Sequence, residues 1–370
     1  MRKDILETYS LELLGLEEKG NLRKLPSVIH QGQYIQIGEK QMLNLSSNDY
    51  LGLATDISLR EEFLRTLSSD NALFSSSSSR LLTGNYSVYT ELEELLCRMF
   101  GCESALVFNS GYHMNTGILP AVCNSQTLIL ADKLVHASLI DGIRLSGATY
   151  YRYRHADYEH LEKLLSIHFK SFEKIIIVTE SIFSMDGDIT DLNRLVRFKQ
   201  EYPNVLLYLD EAHAIGVRGE QGLGCAEEQG CISEIDFLTG TFGKALASVG
   251  GYIICRKVIR DYLINKMRTL IFTTALPPIN LLWTKFILER LNGFNDKREI
   301  LKASSALLRK RLIEKGYDCP SESHIIPLMI GDSKKAILKA EDMWRKGFYM
   351  LPVRPPTVPE GTSRIRISLT

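Results

Sequence analysis

Short apolar runs alternate with helical patterns through the middle of the chain. The runs that predict strands are Ser104–Ser110, Gln126–Asp132, Thr149–Tyr153, Lys174–Glu180, Asn204–Asp210, Ile235–Thr241 and Gly251–Arg256. Helical periodicity predicts helices at 112–123, 137–147, 157–169 and 191–202. Because these strands are largely apolar throughout, we expect them to be buried on both faces. The alternation predicts an α/β fold with a mostly parallel sheet covered by helices.

The pattern changes on either side of this central region. Residues 1–20 predict an amphipathic, charged helix, and 257–270 and 279–291 predict two further helices. A smaller αβ module begins near Asp296 and ends in a strand at 364–370. We therefore expect an N-terminal helical segment (1–45), a large domain (46–295) and a small C-terminal domain (296–370). This division agrees with the length, since single cores rarely grow beyond about 250 to 300 residues.

Composition and charge exclude several classes of partner. Lys+Arg and Asp+Glu both number 44, so the formal net charge is zero. Binding to nucleic acid or to an acidic membrane surface needs a basic excess, so neither partner is expected. The longest apolar runs have the length of strands, too short for a transmembrane helix.

The cysteines and the N-terminus point to the cytoplasm. Seven cysteines are scattered along the chain, and no pair has CxxC spacing. We therefore expect reduced thiols, no bound metal and a cytoplasmic location. The first residues also lack the apolar stretch of a signal peptide.

Polar residues occur where the predicted strands end. Asn109–Tyr112 opens a helix after the first strand, and its free N–H groups could hold a phosphate. The residues that follow three other strands are Glu180 and Ser184, Asp210 and His213, and Thr241 and Lys244. Because ligands of open α/β sheets bind beyond the carboxyl ends of the strands, we expect these side chains to converge on one edge.

Each of these residues also has a simpler interpretation. Asp210–His213 spells the DEAH string of helicases, but the chain has no GxxxxGK[ST] loop to bind a triphosphate. A single lysine such as Lys244 is more often solvated, although its small and apolar neighbours here predict an interior setting. His136 could simply cap the helix that follows it. The joint arrangement, rather than any one residue, indicates an active site.

A series of strings in this order resembles the α-oxoamine synthases, which are pyridoxal-phosphate (PLP) enzymes of fold type I. The strings are Ser47–Leu53, Arg80–Asn85, Asn109–Tyr112, Asp132–Ser138, Glu180–Asp188, Asp210–His213, Thr241–Lys244 and Phe272–Thr274. The resemblance extends over essentially the whole chain. It implies a PLP-dependent transferase fold of type I, with a large PLP-binding domain and a smaller C-terminal αβ domain.

The resemblance implies catalytic roles for Lys244, Asp210, His136 and His213. Lys244 is expected to form the Schiff base with PLP and to act as the base at the amino acid Cα. Asp210 is expected to keep the pyridine nitrogen protonated, because a nearby opposite charge favours the charged ring. His136 is expected to stack on the ring, and Ser184 and His213 to contact its phenolic oxygen.

The resemblance also implies residues for the phosphate and for the substrate. The N–H groups of Gly111 and Tyr112 and the hydroxyl of Thr241 are expected to hold the phosphate. Thr274 is expected to reach the phosphate of a neighbouring subunit, which implies a homodimer with shared active sites. The residues expected to bind substrate are Arg366, whose guanidinium would grip the amino acid carboxylate, together with Asn48 and Arg23.

Within the family, Arg354–Pro359 resembles the branch that makes 8-amino-7-oxononanoate for biotin. The implied reaction is the decarboxylative condensation of L-alanine with a pimeloyl thioester of CoA or of an acyl carrier protein. Two alternatives remain open. One is a glycine C-acyltransferase of the 2-amino-3-ketobutyrate ligase or 5-aminolevulinate synthase type. The other is a non-catalytic subunit with the same fold, against which the presence of Lys244 argues.

Two features depart from the family pattern. The family often has a glycine-rich stretch before the Arg80 string, whereas this chain has Ser75–Ser79. A serine there is expected to be strained if the backbone needs a positive φ, and a flexible serine linker is the alternative. Relatives also usually continue through a further helix, whereas this sequence ends at Thr370, directly after the last predicted strand.

Overall fold

The computed structural model describes residues 5–370. Its helices are α1 Ile5–Glu18, α2 Ile57–Leu64, α3 Ser87–Phe100, α4 Gly111–Val122, α5 Ala137–Leu145, α6 Tyr158–His168, α7 Leu192–Glu201, α8 Cys225–Glu228, α9 Lys257–Lys266, α10 Arg268–Ile271, α11 Pro278–Glu289, α12 Asn295–Glu314 and α13 Ser333–Arg345. Its strands are β1 Ile29–Gln31, β2 Tyr34–Ile37, β3 Lys40–Asn44, β4 Ser104–Phe108, β5 Thr127–Asp132, β6 Thr149–Tyr153, β7 Lys174–Glu180, β8 Val205–Asp210, β9 Phe237–Thr241, β10 Gly251–Cys255, β11 Ile325–Gly331, β12 Phe348–Tyr349, β13 Pro352–Val353 and β14 Ser363–Ser368. The first four residues of the helix predicted over 1–20 lie outside the described residues.

Seven strands form the large sheet, in the order β4-β10-β9-β8-β7-β5-β6. Strands β9, β8, β7, β5 and β6 pair in parallel, whereas β10 runs antiparallel to both of its neighbours. The predicted α/β class with a mostly parallel sheet is confirmed. The direction of β10 follows from its connection, because β9 and β10 are joined by a turn without a crossover helix and parallel neighbours need a crossover.

The core of this sheet lies where the apolar strands meet the helices. Strands β5 and β10 are buried along their whole length, as predicted for strands covered on both faces. One buried cluster joins Ile129 and Ile253 of the sheet to Ile118, Leu139 and Leu263 of three helices. The edge strand β6 differs, since its first four residues are exposed. The expectation of burial on both faces is therefore wrong for β6, which is the last strand at one edge of the sheet.

The helix predicted over 257–270 is two helices. Helix α9 ends at Lys266, and Met267 adopts an extended conformation with φ −80° and ψ 106° before α10 begins. The Met267 side chain is fully buried, and a Cβ on Gly117 of α4 would lie 2.5 Å from its Cε. Because Gly117 has no side chain, Met267 can pack closely on α4, and this packing accompanies the break.

The chain divides into two compact units. The larger unit comprises Asp56–Ser184 and Ile189–Glu299, and the smaller comprises the residues up to Thr55 together with Met185–Asp188 and Ile300–Thr370. The division predicted from the sequence differs, because it separates the N-terminal segment from the C-terminal domain. Backbone pairing joins these two segments: Leu43 of β3 pairs with Phe348 of β12 in parallel.

The smaller unit contains two sheets of its own. One has the order β1-β2-β3-β12 and the other the order β11-β14-β13. Ile326, Met350 and Ile365 belong to one buried cluster, and Ile35 and Met42 belong to another. The last predicted strand is found as β14, which pairs antiparallel with β11 so that Arg366 lies opposite Pro327.

The serine stretch Ser75–Ser79 is anchored rather than loose. Ser77 has φ 50°, in the left-handed region that favours glycine. The buried Ser76 donates from Oγ to the carbonyl of Ala275 at 2.6 Å, and the N–H of Ala275 donates to the carbonyl of Ser78 at 2.9 Å. The expected serine strain is therefore present at Ser77, and the alternative of a flexible linker is wrong.

Three further observations concern the described chain as a whole. Within residues 5–370, no helix has both the length and the apolar character that crossing a bilayer requires. The described part of the chain also contains no group of three His, Cys, Asp or Glu side chains placed to hold a metal ion. All seven cysteines are free.

Candidate active site

The carboxyl ends of β7, β8 and β9 meet at one edge of the large sheet. Glu180, the last residue of β7, pairs with Asp210, the last residue of β8. Asp210 in turn pairs with Thr239 of β9, two residues before Thr241. The strands are parallel, so their final residues reach the same edge, and the residues that follow them meet there.

The turns after β8 and β9 bring His213 and Lys244 together. Lys244 Nζ lies 2.8 Å from His213 Nε2. Phe242 and Leu246, two residues to either side of Lys244, are fully buried. The interior setting predicted for Lys244 is therefore found in its neighbours, while Lys244 itself is half-buried. An amine and an imidazole at this distance are within reach for proton transfer.

The turn that carries Lys244 contains a strained residue. Ala247 has φ 48°, in the left-handed region. Its N–H donates to the carbonyl of Lys244 at 2.9 Å, and its own carbonyl accepts from Trp283 Nε1 at 2.8 Å. Backbone strain of this kind persists only where the surroundings hold it. Trp283 thus helps to fix the turn that positions the lysine.

Asp210 is a buried carboxylate with a defined orientation. It is 5% exposed, and its Oδ1 accepts from the N–H of Ala212 at 2.9 Å. Its Oδ2 accepts from Asn115 Nδ2 at 2.8 Å. One donor lies in the turn after β8 and the other lies on α4. Because each hydrogen bond holds a different oxygen, the two together fix the plane of the carboxylate.

His136 caps helix α5, as its simpler interpretation predicts. Its Nδ1 accepts from the N–H of Ser138 at 3.2 Å and lies 2.8 Å from Ser138 Oγ. Burial lowers the pKa of His136, opposed by the Asp210 carboxylate and assisted by the Lys244 ammonium. Capping uses only Nδ1 and leaves the ring face for another contact, so the cap and the predicted stacking role are compatible.

Glu180 supports the same region from β7. Its Oε1 accepts from the backbone N–H of His136 at 2.5 Å, and the side chain is 2% exposed. Burial raises the pKa of Glu180 well above its ordinary value, and the neighbouring Asp210 carboxylate raises it further. The neutral form of Glu180 is therefore more favourable than that of an exposed glutamate.

The start of helix α4 lies against the end of β9. Ser110 caps this helix by accepting from the N–H of His113 at 3.1 Å. A Cβ on Gly111 would lie 3.7 Å from Thr241 Oγ1, and a Cβ on Gly251 would lie 3.0 Å from the nitrogen of Gly111. The helix terminus, with its N–H groups, and the Thr241 hydroxyl are thus adjacent, as a phosphate site requires.

Three further predicted cofactor residues are partly or largely exposed. The Tyr112 side chain is half exposed, and its hydroxyl donates to Asp141 Oδ2 at 2.5 Å. Ser184 is half-buried in the turn that follows β7. Thr274 is exposed, and its carbonyl accepts from Asn109 Nδ2 at 2.5 Å. Asn109 thereby links the segment of Thr274 to the segment that precedes α4.

Two of the predicted substrate residues meet in the smaller unit. Arg366 Nη1 donates to Asn48 Oδ1 at 3.1 Å and to Ser368 Oγ at 2.6 Å. Its Nη2 donates to the hydroxyl of Tyr50 at 3.1 Å, and Tyr50 is fully buried. Neutral oxygens thus orient this guanidinium. Arg364 on the same strand has a different environment, because it forms an ion pair with Asp186.

Arg23 lies against the proline motif of the smaller unit. Its Nη2 donates to Thr357 Oγ1 at 2.9 Å. Arg354 at the start of the motif donates to the carbonyl of Gly20. The segment that contains Gly20 and Arg23 and the proline motif are therefore joined by hydrogen bonds in both directions. Burial lowers the pKa of Arg354, and the positive charge of Arg23 lowers it further. Two cationic side chains are thus close together in this unit.

The residues of the larger unit fit PLP, a pyridine ring with an aldehyde, a phenolic oxygen and a phosphate. Lys244 has the primary amine that the aldehyde would need, and Asp210 has a buried carboxylate that could face the ring nitrogen. Gly111 and Thr241 have an N–H group and a hydroxyl that could hold the phosphate. Burial lowers the pKa of His136, the Asp210 carboxylate raises it and the Lys244 ammonium lowers it, so both charged groups lie within electrostatic reach of His136.

Residues 40–370 match the family model for class I and II aminotransferases. The chain therefore belongs to the class I and II aminotransferase family. Within it, the chain is 56% identical over 366 residues to a protein of Glaesserella parasuis that carries the provisional name 8-amino-7-oxononanoate synthase, covering 99% of this chain and 96% of that protein. A protein of Neisseria meningitidis with the same provisional name is 54% identical, again covering 99% and 96%.

Solved structures agree with this assignment. A serine palmitoyltransferase from S. paucimobilis, with bound PLP-myriocin aldimine, superposes with a TM-score of 0.89 at 27% identity over 99% of this chain and 94% of that chain. An 8-amino-7-oxononanoate synthase from Francisella tularensis superposes with a TM-score of 0.75 at 27% identity, covering 89% and 92%. The predicted resemblance to the α-oxoamine synthases and the predicted fold type are confirmed.

Sequence reasoning missed residues that orient the predicted site residues. Asn115 contacts Asp210, and Tyr50 contacts Arg366. For Asn115 a signal existed, because it is a polar residue one helical turn after Gly111 on the face shared by i and i+4. Tyr50 lies in a string that carries the family resemblance, yet nothing in the string shows which side chain it contacts.

Proposed function

We propose that this chain condenses L-alanine with a pimeloyl thioester of CoA or of an acyl carrier protein. The products are 8-amino-7-oxononanoate, CO₂ and the free thiol, and the reaction serves biotin biosynthesis. The observation that carries the proposal is Lys244 Nζ at 2.8 Å from His213 Nε2, beside the buried Asp210. The full-length relatives at 54 and 56% identity support the choice of substrate. With all seven cysteines free, a cytoplasmic setting suits the enzyme.

PLP is the cofactor in this proposal, and it supplies an electron sink for the carbanion that forms at the amino acid Cα. Asp210 holds the ring nitrogen protonated, because its carboxylate stabilises the positive charge. His136 lies on the ring face while its Nδ1 keeps the cap of α5. Ser184 and His213 contact the phenolic oxygen of the ring.

The phosphate is held by the start of α4. The N–H groups of Gly111 and Tyr112 donate to it, assisted by the partial positive charge of the helix N-terminus. The Thr241 hydroxyl, which donates to the carbonyl of Gly250 at 2.8 Å, can rotate its hydrogen towards the phosphate. Thr274 contributes its exposed hydroxyl to the phosphate of a neighbouring subunit, so the active enzyme is a homodimer with shared sites.

Lys244 moves the proton at the substrate Cα. The amine of Lys244 would accept the proton from the substrate Cα and would later return a proton to the product carbon. His213 Nε2 lies 2.8 Å from this amine, and a hydrogen bond between the two nitrogens keeps the amine in position. A positioned base of this kind commonly accelerates a reaction by about 10² to 10⁴-fold.

Arg366 binds the carboxylate of the amino acid. Its planar guanidinium can donate two parallel hydrogen bonds to a carboxylate, and Tyr50 and Asn48 fix its plane. Asn48 and Arg23 are the further substrate contacts. A cationic Arg23 next to Arg354 suits an acyl chain that ends in a second carboxylate, as a pimeloyl group does.

Two measurements test this proposal. The visible absorbance of the purified protein should show a PLP band that borohydride abolishes, with the reduced label mapped to Lys244. Thiol release should then be measured with alanine or glycine and with acetyl-, succinyl- or pimeloyl-CoA. Alanine with pimeloyl-CoA should be the fastest pair, whereas faster release with glycine and a short acyl-CoA would identify a glycine C-acyltransferase instead.

A further inference from the structure

A buried hydrogen-bond chain connects Asp210 to His136 through the side chain of Asn115. Asn115 is 2% exposed. Its Nδ2 donates to Asp210 Oδ2 at 2.8 Å and to Ser138 Oγ at 3.0 Å. Its Oδ1 accepts from the hydroxyl of Tyr208 at 2.7 Å. Both amide hydrogens and the amide oxygen are therefore used.

The partners of Asn115 fix the orientation of its amide. A carboxylate only accepts hydrogen bonds, so the nitrogen rather than the oxygen must face Asp210. The Tyr208 hydroxyl then donates to the remaining amide oxygen. Tyr208 and Asp210 lie two residues apart on β8, so both side chains project from the same face of the sheet towards α4.

The Ser138 hydroxyl connects the amide of Asn115 to the imidazole of His136. Because Ser138 Oγ accepts from Asn115, its own hydrogen is available for His136 Nδ1, which lies 2.8 Å away. The N–H of Ser138 donates to the same nitrogen at 3.2 Å. Two donors on Nδ1 require a neutral imidazole with its proton on Nε2, in agreement with the lowered pKa of His136, which burial causes.

The backbone at Asn115 is held as firmly as its side chain. A Cβ on Gly142 of α5 would lie 2.3 Å from the carbonyl oxygen of Asn115. Helices α4 and α5 therefore approach each other more closely at this point than any side chain would allow. Asn115 also lies one turn after Gly111 on α4, so a single helix carries the predicted phosphate site and the support of Asp210.

We propose that Asn115 is a positioning residue that fixes Asp210 and His136 for the bound cofactor. This inference rests on the proposed function, since it assigns the two residues to the ring nitrogen and the ring face. Asn115 itself touches neither substrate nor cofactor in this account. It acts by donating one hydrogen bond to the Asp210 carboxylate and another to Ser138.

The test replaces Asn115 with leucine, which has similar volume and no hydrogen-bonding group. Asn115→Leu should weaken PLP binding and lower kcat, each by about 10- to 100-fold, because hydrogen bonds to charged groups are among the stronger ones. The KM for alanine should change by less than about 3-fold, since substrate contacts are intact. The visible band of bound PLP should shift, because the ring nitrogen loses its fixed carboxylate. Asn265→Leu, at an exposed asparagine of α9, is the matched control and should retain the wild-type spectrum and kcat.

Two further variants decide the matter if Asn115→Leu does not fold. Tyr208→Phe keeps the stack of this ring on Phe237 and removes the hydroxyl that donates to Asn115. Ser138→Ala removes the hydroxyl that joins Asn115 to His136 Nδ1, while the backbone N–H of residue 138 still donates to that nitrogen. Both should shift the PLP band in the direction of Asn115→Leu. Wild-type spectra and kcat in all folded variants would overturn the inference. A wild-type protein that binds PLP but releases no thiol from pimeloyl-CoA would overturn the proposed function alone, since PLP affinity and spectrum still test Asn115.

Discussion

Lys244 Nζ and His213 Nε2 lie 2.8 Å apart in the turns that follow two neighbouring parallel strands. Neither residue belongs to a strand or helix, yet both are held by buried neighbours. Parallel pairing of β8 and β9 brings the two turns to the same edge of the sheet. The backbone conformation of the turns then sets the distance between Lys244 Nζ and His213 Nε2. Catalytic groups on turns that a rigid sheet positions are a common arrangement in α/β enzymes.

Replacing Lys244 with alanine should abolish turnover while the fold survives. The loss should exceed about 10⁴-fold, because covalent attachment is lost together with a proton transfer commonly worth about 10² to 10⁴-fold by itself. Thiol release measures the activity, and circular dichroism on heating measures the fold. Lys266→Ala, at an exposed lysine of α9, is the control and should keep wild-type activity. An active Lys244→Ala enzyme would refute the assignment of this lysine.

Replacing Arg366 with lysine should raise the KM for alanine. The change keeps the positive charge but removes the planar fork, so about 1 to 3 kcal/mol of carboxylate binding is lost, or roughly 5- to 150-fold in KM. The KM for the acyl thioester should change much less. Arg345→Lys, at an exposed arginine of α13, should leave both constants unchanged. Equal changes in the two KM values for Arg366→Lys would argue against a specific carboxylate contact.

Ser77 should tolerate glycine but not a β-branched residue. Its φ of 50° is costly for any side chain and most costly for a β-branched one. Ser77→Val should therefore lower the free energy of unfolding by about 1 to 2 kcal/mol, whereas Ser77→Gly should lie within about 1 kcal/mol of the wild type. Ser79→Val is the matched control, because Ser79 is extended with φ −75° and makes no cap hydrogen bond. Urea denaturation measures the free energy of unfolding of the three variants. Equal losses for Ser77→Val and Ser79→Val would contradict the prediction.

Because Glu211 is buried, the free energy of unfolding should decrease as the pH rises. Burial raises the pKa of this carboxyl to about 7, although hydrogen bonds from Ser181, Ala226 and Cys225 favour its charged form. The folded chain keeps a proton that the unfolded chain releases above about pH 4.5. The Glu211 contribution to the free energy of unfolding is therefore full below pH 4.5, decreases as the pH rises to 7, and is constant above.

The variant Glu211→Gln isolates this contribution. Between pH 5 and 7 its free energy of unfolding should have a more positive slope against pH than that of the wild type, by up to about 1.4 kcal/mol per pH unit. Chemical denaturation at several pH values measures the slope. Glu94→Gln, at an exposed glutamate of α3, should leave the slope as it is. If the free energies of unfolding of Glu211→Gln and the wild type changed in parallel between pH 5 and 7, Glu211 would be charged over this whole range and the prediction would be wrong.

Sequence patterns determined the elements of the large sheet because they act locally. Apolar runs such as Lys174–Glu180 and Val205–Asp210, short and separated by helical patterns, are typical of buried strands, and the helices between them favour parallel neighbours. The rule that ligands bind at the carboxyl ends then placed Asp210, His213, Thr241 and Lys244 at one edge without coordinates. The ordered family strings added the PLP chemistry, which periodicity alone does not specify.

Long-range packing decided the rest. Three features depend on residues that are distant in the sequence or on backbone conformation, which local patterns do not reveal. They are the pairing of Leu43 with Phe348, the helix break at Met267 against Gly117 and the positive φ of Ser77. The same holds for Asn115, whose partners Asp210 and Ser138 lie on two other elements. Which residues form a strand or a helix is largely encoded in neighbours along the chain. Which polar atom pairs with which is fixed only when those elements pack, because hydrogen bonds need contact within about 3 Å.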